Sequence, residues 1–174
     1  MKSHAWKLYL YGGIACVVLA LLGYMFVIKP YFSHKPVQQT LAIIKPDAVA
    51  AKVTGKIIEK IEQAGFKIVD LRKIQLEKEG AEKFYAEHKT KTFFADLVSF
   101  MTSGPVIVMI LEKEEAVNGW RELMGTTDPA KANEGTIRKL FGTSIEKNAV
   151  HGSDSLESAP REIKFFFSDA APQA

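Results

Sequence analysis

The sequence predicts a small α+β sandwich, an α/β packing of helices on a sheet, behind one apolar N-terminal segment. Three observations carry that expectation. Between residues 40 and 111 the apolar residues switch repeatedly between the spacing of a helix face and that of a strand. Val106-Ile107-Val108-Met109-Ile110-Leu111, preceded by Gly104-Pro105, is a continuous apolar run of the kind a central strand shows. And 174 residues, 47% hydrophobic and 25% charged, suffice for one packed core but not for two full domains. The same composition excludes intrinsic disorder and collagen-like repeats, and a single cysteine excludes a disulfide scaffold.

The elements follow in order. Thr40 to Ile44 reads as a buried strand stopped by Pro46, which lacks a ladder donor. From Val53 to Ala64, Ile57, Ile58 and Ile61 share a face opposite Lys56, Glu59, Lys60 and Glu62, so a helix is expected, closed by Gly65. Phe66 to about Leu76 is β-branched enough for a second strand. Glu79 to Phe100 returns to helical spacing as two helices broken near Lys89 to Thr92, and the apolar strand comes next. Glu114 to Met124 reads as a helix with acidic residues in its first turn and Gly125 behind it. Thr126 to His151 has weak periodicity and many Gly, Thr, Asn and Asp residues, the signature of a long functional loop. A last helix covers Ser155 to Phe166, with Pro160 near its start, and a further strand is expected close to it. No internal repeat or low-complexity tract is present.

Leu8 to Ile28 holds twenty-one residues without a charge. At about 1.5 Å per residue that run crosses a ~30 Å hydrocarbon layer, so one transmembrane helix is expected. Trp6, Tyr9 and Tyr11 at one end, Tyr24, Tyr31 and Phe32 at the other, and the bracketing Lys7 and Lys29 agree with it. A cleaved signal peptide would have a shorter apolar region and a small-x-small cleavage site. Lys2 and Lys7 face Lys29, Lys35 and Lys45 across the segment, too even a balance to fix orientation. Cys16 lies inside the run and acts as a small apolar residue. Lys29 to Gln38 carries two prolines and reads as a linker, so residues 1–36 form anchor and linker and residues 37–174 the domain. The sequence pI near 8.9 belongs to the anchor. The first 36 residues hold four of the 23 basic residues and none of the 20 acidic ones, leaving 19 against 20 and a net charge of −1 in the remainder. No nucleic-acid partner is expected of such a domain.

Most familiar chemical motifs are missing. G-x-x-x-x-G-K-[ST], G-x-G-x-x-G and protein-kinase signatures do not occur, nor does a zinc-type cysteine cluster or a histidine pair at ligand spacing. What stands out is Arg121, Thr127, Arg138, Asn148 and His151 in or beside the non-periodic stretch, with Lys45 at the end of the first strand. Three cations with neutral donors suit a polyphosphate, since guanidinium forks match phosphate oxygens and lysine adds a point charge. By composition alone a solvated basic face accounts for the cations equally well, and a lone histidine is more often structural. His4, His34 and His88 are assigned to that structural role.

Ile44-Lys45-Pro46-Asp47, Gly104-Pro105-Val106, Thr127-Asp128-Pro129-Ala130, Gly135-Thr136-Ile137-Arg138 and Asn148-Ala149-Val150-His151-Gly152-Ser153-Asp154-Ser155 resemble nucleoside diphosphate kinase in kind, order and spacing. The resemblance spans about Gln39 to Asp169 and not the anchor. It implies a ferredoxin-like βαββαβ domain with a four-stranded antiparallel sheet. It also implies transfer of the γ-phosphoryl group of ATP or another nucleoside triphosphate to a diphosphate, in ping-pong fashion, through a phosphohistidine. By that resemblance His151 is the nucleophile through Nδ1, Glu162 holds the other ring nitrogen, and Tyr85 helps orient the histidine and Lys45. Lys45 and Asn148 meet the ribose hydroxyls, with Lys45 also near the transferred group, while Arg121, Thr127 and Arg138 hold phosphates. Phe93, with Leu97 beside it, and Ile145 close on the two faces of the base. Taken alone, Phe93 and Leu97 at i, i+4 read equally as helix packing.

Mg²⁺ is expected to travel with the nucleotide, with no metal ligands from the protein. Ala48, Thr92, Asp128, Lys139-Leu140 and Pro160 depart from the usual family pattern. A homo-oligomer, tetramer or hexamer, is implied, together with a lipid bilayer as partner of residues 8–28. Nucleotide supply would place the domain on the cytoplasmic side of a single-pass anchor. Removal of the segment, giving a cytoplasmic or exported protein, and a tethered nucleotide-binding module with little catalysis are the alternatives.

Overall fold

The computed structural model describes residues 35–168, so the apolar run 8–28 lies outside the described residues. Among the described residues no helix is long and apolar enough to cross a membrane. Four strands, β1 (Val37–Ile44), β2 (Lys67–Ile74), β3 (Val106–Glu114) and β4 (Val150–Gly152), form one antiparallel sheet in the order β2-β3-β1-β4. The helices are α1 (Pro46–Ala50), α2 (Thr54–Gln63), α3 (Lys78–Phe84), α4 (Phe94–Met101), α5 (Ala116–Met124), α6 (Ile137–Phe141) and α7 (Ser158–Phe167), with a 3₁₀ turn at Ala86–His88. The α+β class and the four-stranded antiparallel sheet match the expectation.

Both faces of the sheet are covered, which explains the unbroken apolar runs in the two central strands. Successive side chains of a strand point to opposite faces. Ala42, Ile44, Met109 and Leu111 pack with Ile57 and Ile61 of α2 and Trp120 and Met124 of α5. Leu41, Ile43, Val106 and Val108 pack with Phe84, Tyr85, Met101 and Phe166 from the α3, α4 and α7 side. Leu41 to Ile44 are fully buried.

Element boundaries differ from the sequence expectation for local reasons. β1 starts earlier, since Val37, Gln38 and Gln39 pair with Glu114, Lys113 and Glu112 of β3 although their side chains are polar or exposed. α1, absent from the expectation, begins on Pro46, whose fixed φ suits a first helical turn as well as it ends a strand. The acidic first turn expected in the Glu114 helix does not exist. Glu114 ends β3, and Glu115 adopts φ 53°, ψ 41°, the left-handed bend that turns the chain into α5. α6 and β4 lie in the stretch expected to be loop. Pro160 stands third in α7, where its missing N–H would have had no helical partner in any case.

Candidate active site

The site collects at the C-terminal end of β1 and along β4. Lys45 follows Ile44, and its amide donates to the Ala149 carbonyl at 2.9 Å. In the first turn of α1 the Asp47 carboxylate accepts the Ala149 amide at 3.0 Å. Ala149 is thus held on both sides at φ 67°, a left-handed conformation costing a non-glycine residue roughly 1–2 kcal/mol. That kink ends the loop and starts β4, so its consequence is the position of His151 two residues on.

His151 is half-buried, its ring edge against Phe84 at 5.5 Å and Tyr85 at 6.1 Å between centroids. Nε2 lies 3.2 Å from Glu162 Oε2, and the buried Ser153 hydroxyl donates to the same oxygen at 2.9 Å. Ser153 Oγ in turn accepts the Leu41 amide at 3.2 Å, which ties the carboxylate to β1. An oxygen that accepts from Ser153 also accepts from the ring, so Nε2 carries the proton and Nδ1 keeps its lone pair.

The three cations form a linked set, Lys45 within electrostatic reach of Arg138 and Arg138 of Arg121. The Lys45 ammonium is buried, donates to Asn148 Oδ1 at 2.7 Å and sits over the Phe100 ring at 5.8 Å. Burial pushes it down to about 8, with Arg138 acting in the same direction and Asp47 opposing. Arg138 donates to the Gly125 carbonyl at 2.9 Å and the Val150 carbonyl at 3.1 Å. Its buried Nε has no partner among the described residues. Burial first, and Arg121 second, lower it to about 10 against the pull of Asp154. Arg121 is half-exposed and paired with Asp154 at 2.6 Å. Asn148 is buried and donates to the Thr127 and Ile145 carbonyls at 3.1 and 2.8 Å, which pins two loop segments together. The Thr127 side chain is exposed.

The remaining expected residues are placed less centrally. Tyr85 is buried, its hydroxyl has no partner among the described residues, and burial reinforced by Glu162 keeps it a protonated phenol well above its ordinary range. It meets His151 through its ring. Phe93 caps α4 from outside, 46% exposed and tilted against His88 at 5.8 Å. Leu97, one turn on, packs on the second core. Ile145 projects from the loop, 60% exposed.

Departures from the family pattern are absorbed locally. Ala48 is buried in α1, the Asp128 carboxylate accepts the Ala130 amide at 3.0 Å, and Lys139 pairs with Glu134 at 3.5 Å without disturbing Arg138. Asp47, Ser153 and Asp154 received no role from the sequence. Asp47 and Ser153 act on backbone amides, a function that only the fold reveals.

Among the described residues no group of three His, Cys, Asp or Glu could hold a metal. The cationic donor set fits a magnesium ion carried in on the nucleotide's own phosphate oxygens. Together the groups offer an imidazole held through Nε2 and a linked set of three cations, a setting suited to covalent transfer of an anionic group.

A family model described as nucleoside diphosphate kinase matches residues 38–171. Over 131 residues the chain is 61% identical to a nucleoside diphosphate kinase of Geobacter sulfurreducens, covering 75% of this chain and 96% of that protein. A nucleoside diphosphate kinase of Nitratiruptor sp. is 62% identical over 130 residues, covering 75% and 95%. Among solved structures, the Aquifex aeolicus nucleoside diphosphate kinase superposes with a TM-score of 0.75 at 44% identity, covering 77% of this chain and 97% of that one. The Halobacterium salinarum nucleoside diphosphate kinase in complex with CDP gives 0.74 at 42% identity, covering 77% and 90%.

Proposed function

The chain belongs to the nucleoside diphosphate kinase family and is a nucleoside diphosphate kinase, and from that premise we propose that its phosphoryl group passes through His151 Nδ1. The observation that carries this reading is the 3.2 Å contact of Nε2 with Glu162, which leaves Nδ1 as the free nucleophile.

Nδ1 attacks the γ-phosphorus of a nucleoside triphosphate. The nitrogen–phosphorus bond forms, the bond to the bridging oxygen breaks, and the diphosphate leaves with that electron pair. A second diphosphate then attacks the phosphohistidine with a terminal β-oxygen and restores the neutral ring. One site serves both nucleotides in turn. As Nδ1 becomes bonded, the ring gains positive charge, which the Glu162 carboxylate stabilises through Nε2–H. Lys45, Arg121 and Arg138 face the negative charge that moves between oxygens, and Arg121 exchanges Asp154 for phosphate when nucleotide binds. A magnesium ion carried in with the nucleotide would add charge neutralisation to the phosphates that Lys45, Arg121 and Arg138 receive. Lys45 and Asn148, joined at 2.7 Å, serve the ribose hydroxyls, with Thr127 on the phosphates. The exposed Phe93, seated beside Leu97, and Ile145 hold the base by faces every base possesses.

Incubation with γ-labelled ATP should leave acid-labile label on the protein after nucleotide is removed. Unlabelled wild type, or a His151→Ala variant that labels as well as wild type, overturns the mechanism.

Two wider features belong to the same reading. Residues 8–28 anchor the enzyme in a bilayer with the domain facing the cytoplasm, where triphosphates are abundant, an orientation refuted if external protease digests the domain on intact cells. The subunits associate as a tetramer or hexamer. β2 is an edge strand with Val69 and Leu71 each over 40% exposed, an apolar edge that association would cover, and light scattering of the detergent-solubilised protein reads the mass.

A further inference from the structure

We propose that Trp120 is a positioning residue for the transfer, its indole bracing the strand of His151 from the face opposite the imidazole. The proposal rests on His151 being the nucleophile. β4 is only three residues long and lies at the sheet edge, paired with β1 alone. Its His151 side chain belongs to one face of the sheet, against Phe84, Tyr85 and Glu162. On the other face stands α5, whose Trp120 is completely buried and donates Nε1–H to the His151 carbonyl at 3.2 Å.

Gly152 makes that bond possible. A Cβ at this position would lie 2.3 Å from both Cδ1 and Nε1 of the indole, so the ring rests directly on the backbone beside the nucleophile. Trp120 also meets Phe66 edge to face at 6.3 Å, which fixes the ring from behind. Core filling explains the burial, but any aromatic ring fills a core. The directed N–H on the nucleophile's own carbonyl is a bond only tryptophan makes here. The next residue of α5 is Arg121, so one helix holds both the strand of the nucleophile and a phosphate-binding cation. A short edge strand free to shift would carry Nδ1 off line, and a misplacement of about 1 Å can cost 10²-fold in rate.

The test removes the N–H and keeps the shape. In the full-length chain with Trp6→Phe, position 120 is replaced by the benzothienyl isostere of tryptophan, whose sulfur stands for the N–H; Trp120→Phe is made in parallel. Phosphohistidine formation from γ-labelled ATP is followed in a single turnover, and ADP affinity is measured separately. Labelling should slow about tenfold in both variants with the ADP Kd within about twofold of wild type, a split that mere loosening of the site does not give. Labelling within about twofold of wild type overturns the proposal, as does a parallel loss of ADP affinity. Should Trp120→Phe fail to fold, the isostere decides alone. Wild type that takes no label overturns the His151 assignment and this inference together, whereas labelled wild type with unimpaired variants overturns only the inference.

Discussion

Lys45 holds its charge less securely than a surface lysine, because burial brings it from 10.5 to about 8. The shift is downward, so the free enzyme keeps the proton below about pH 8 and loses it above. Phosphate and ribose oxygens set against the ammonium restore the ordinary value, and nucleotide binding therefore takes up a proton in the alkaline range. One unit above the free value about a tenth of Lys45 is protonated, so ADP binding at about pH 9 takes up about 0.9 proton, against about 0.1 at pH 7. The ADP affinity falls about tenfold over that interval, or ~1.4 kcal/mol. Arg138, at about 10, adds only about 0.1 proton at pH 9. Calorimetric titration in buffers of different ionisation enthalpy measures the uptake directly. Uptake below about 0.2 proton at pH 9, or uptake that survives Lys45→Met, refutes the argument. The same shift predicts that the free enzyme gains stability as pH rises from about 8 toward 10.5, by up to about 3 kcal/mol, because the fold disfavours the charged form.

Three further outcomes are expected. Phe93→Ala should leave the melting temperature nearly unchanged, because the ring is 46% exposed, while raising KM for purine and pyrimidine diphosphates alike by the equivalent of ~1–3 kcal/mol; a lowered Tm with unchanged KM would assign Phe93 to packing. Arg138→Met should slow phosphoryl transfer by about 10²–10³, read by single-turnover labelling, and a loss under tenfold would remove Arg138 from the transition state. Gly152→Ala forces a methyl group into the Trp120 ring and should cost about 1–3 kcal/mol in denaturant unfolding, so an unaffected midpoint would mean that the indole can move aside.

The sheet was legible because Thr40 to Ile44 and Val106 to Leu111 sit in central strands with helices on both faces, and apolar content alone marks such strands. α2 was legible through its one-sided isoleucines, since an amphipathic helix writes its buried face into its spacing, and α5 through its helical pattern and Gly125, although the acidic residues read as its first turn belong to the end of β3 and the bend behind it. β4 was not. Three residues hold no period, and what makes Val150 to Gly152 a strand is β1 alongside it, a partner more than a hundred residues away. α1 was hidden by Pro46, which ends a ladder and opens a helix with equal ease.

The site divides along the same line. Lys45, Arg138 and His151 stand out as cations and an imidazole, but composition leaves a solvated basic face and a structural histidine open, and it is the resemblance of the surrounding motifs that gives them roles. Their alignment is set by inconspicuous groups, and those act through the backbone. Asp47 and the Lys45 amide hold Ala149 in a left-handed kink, Ser153 links Glu162 to the Leu41 amide, and Arg138 is aimed by two carbonyls, Gly125 and Val150. A residue whose task is to hold a main-chain atom leaves no spacing rule behind, because its partner can be any residue that the fold brings within 3 Å. Chemical type and motif resemblance thus expose the groups that react, in a stretch where alternation and amphipathicity are silent, while the groups that place them are found only when the ladder of β1 and β4 is closed.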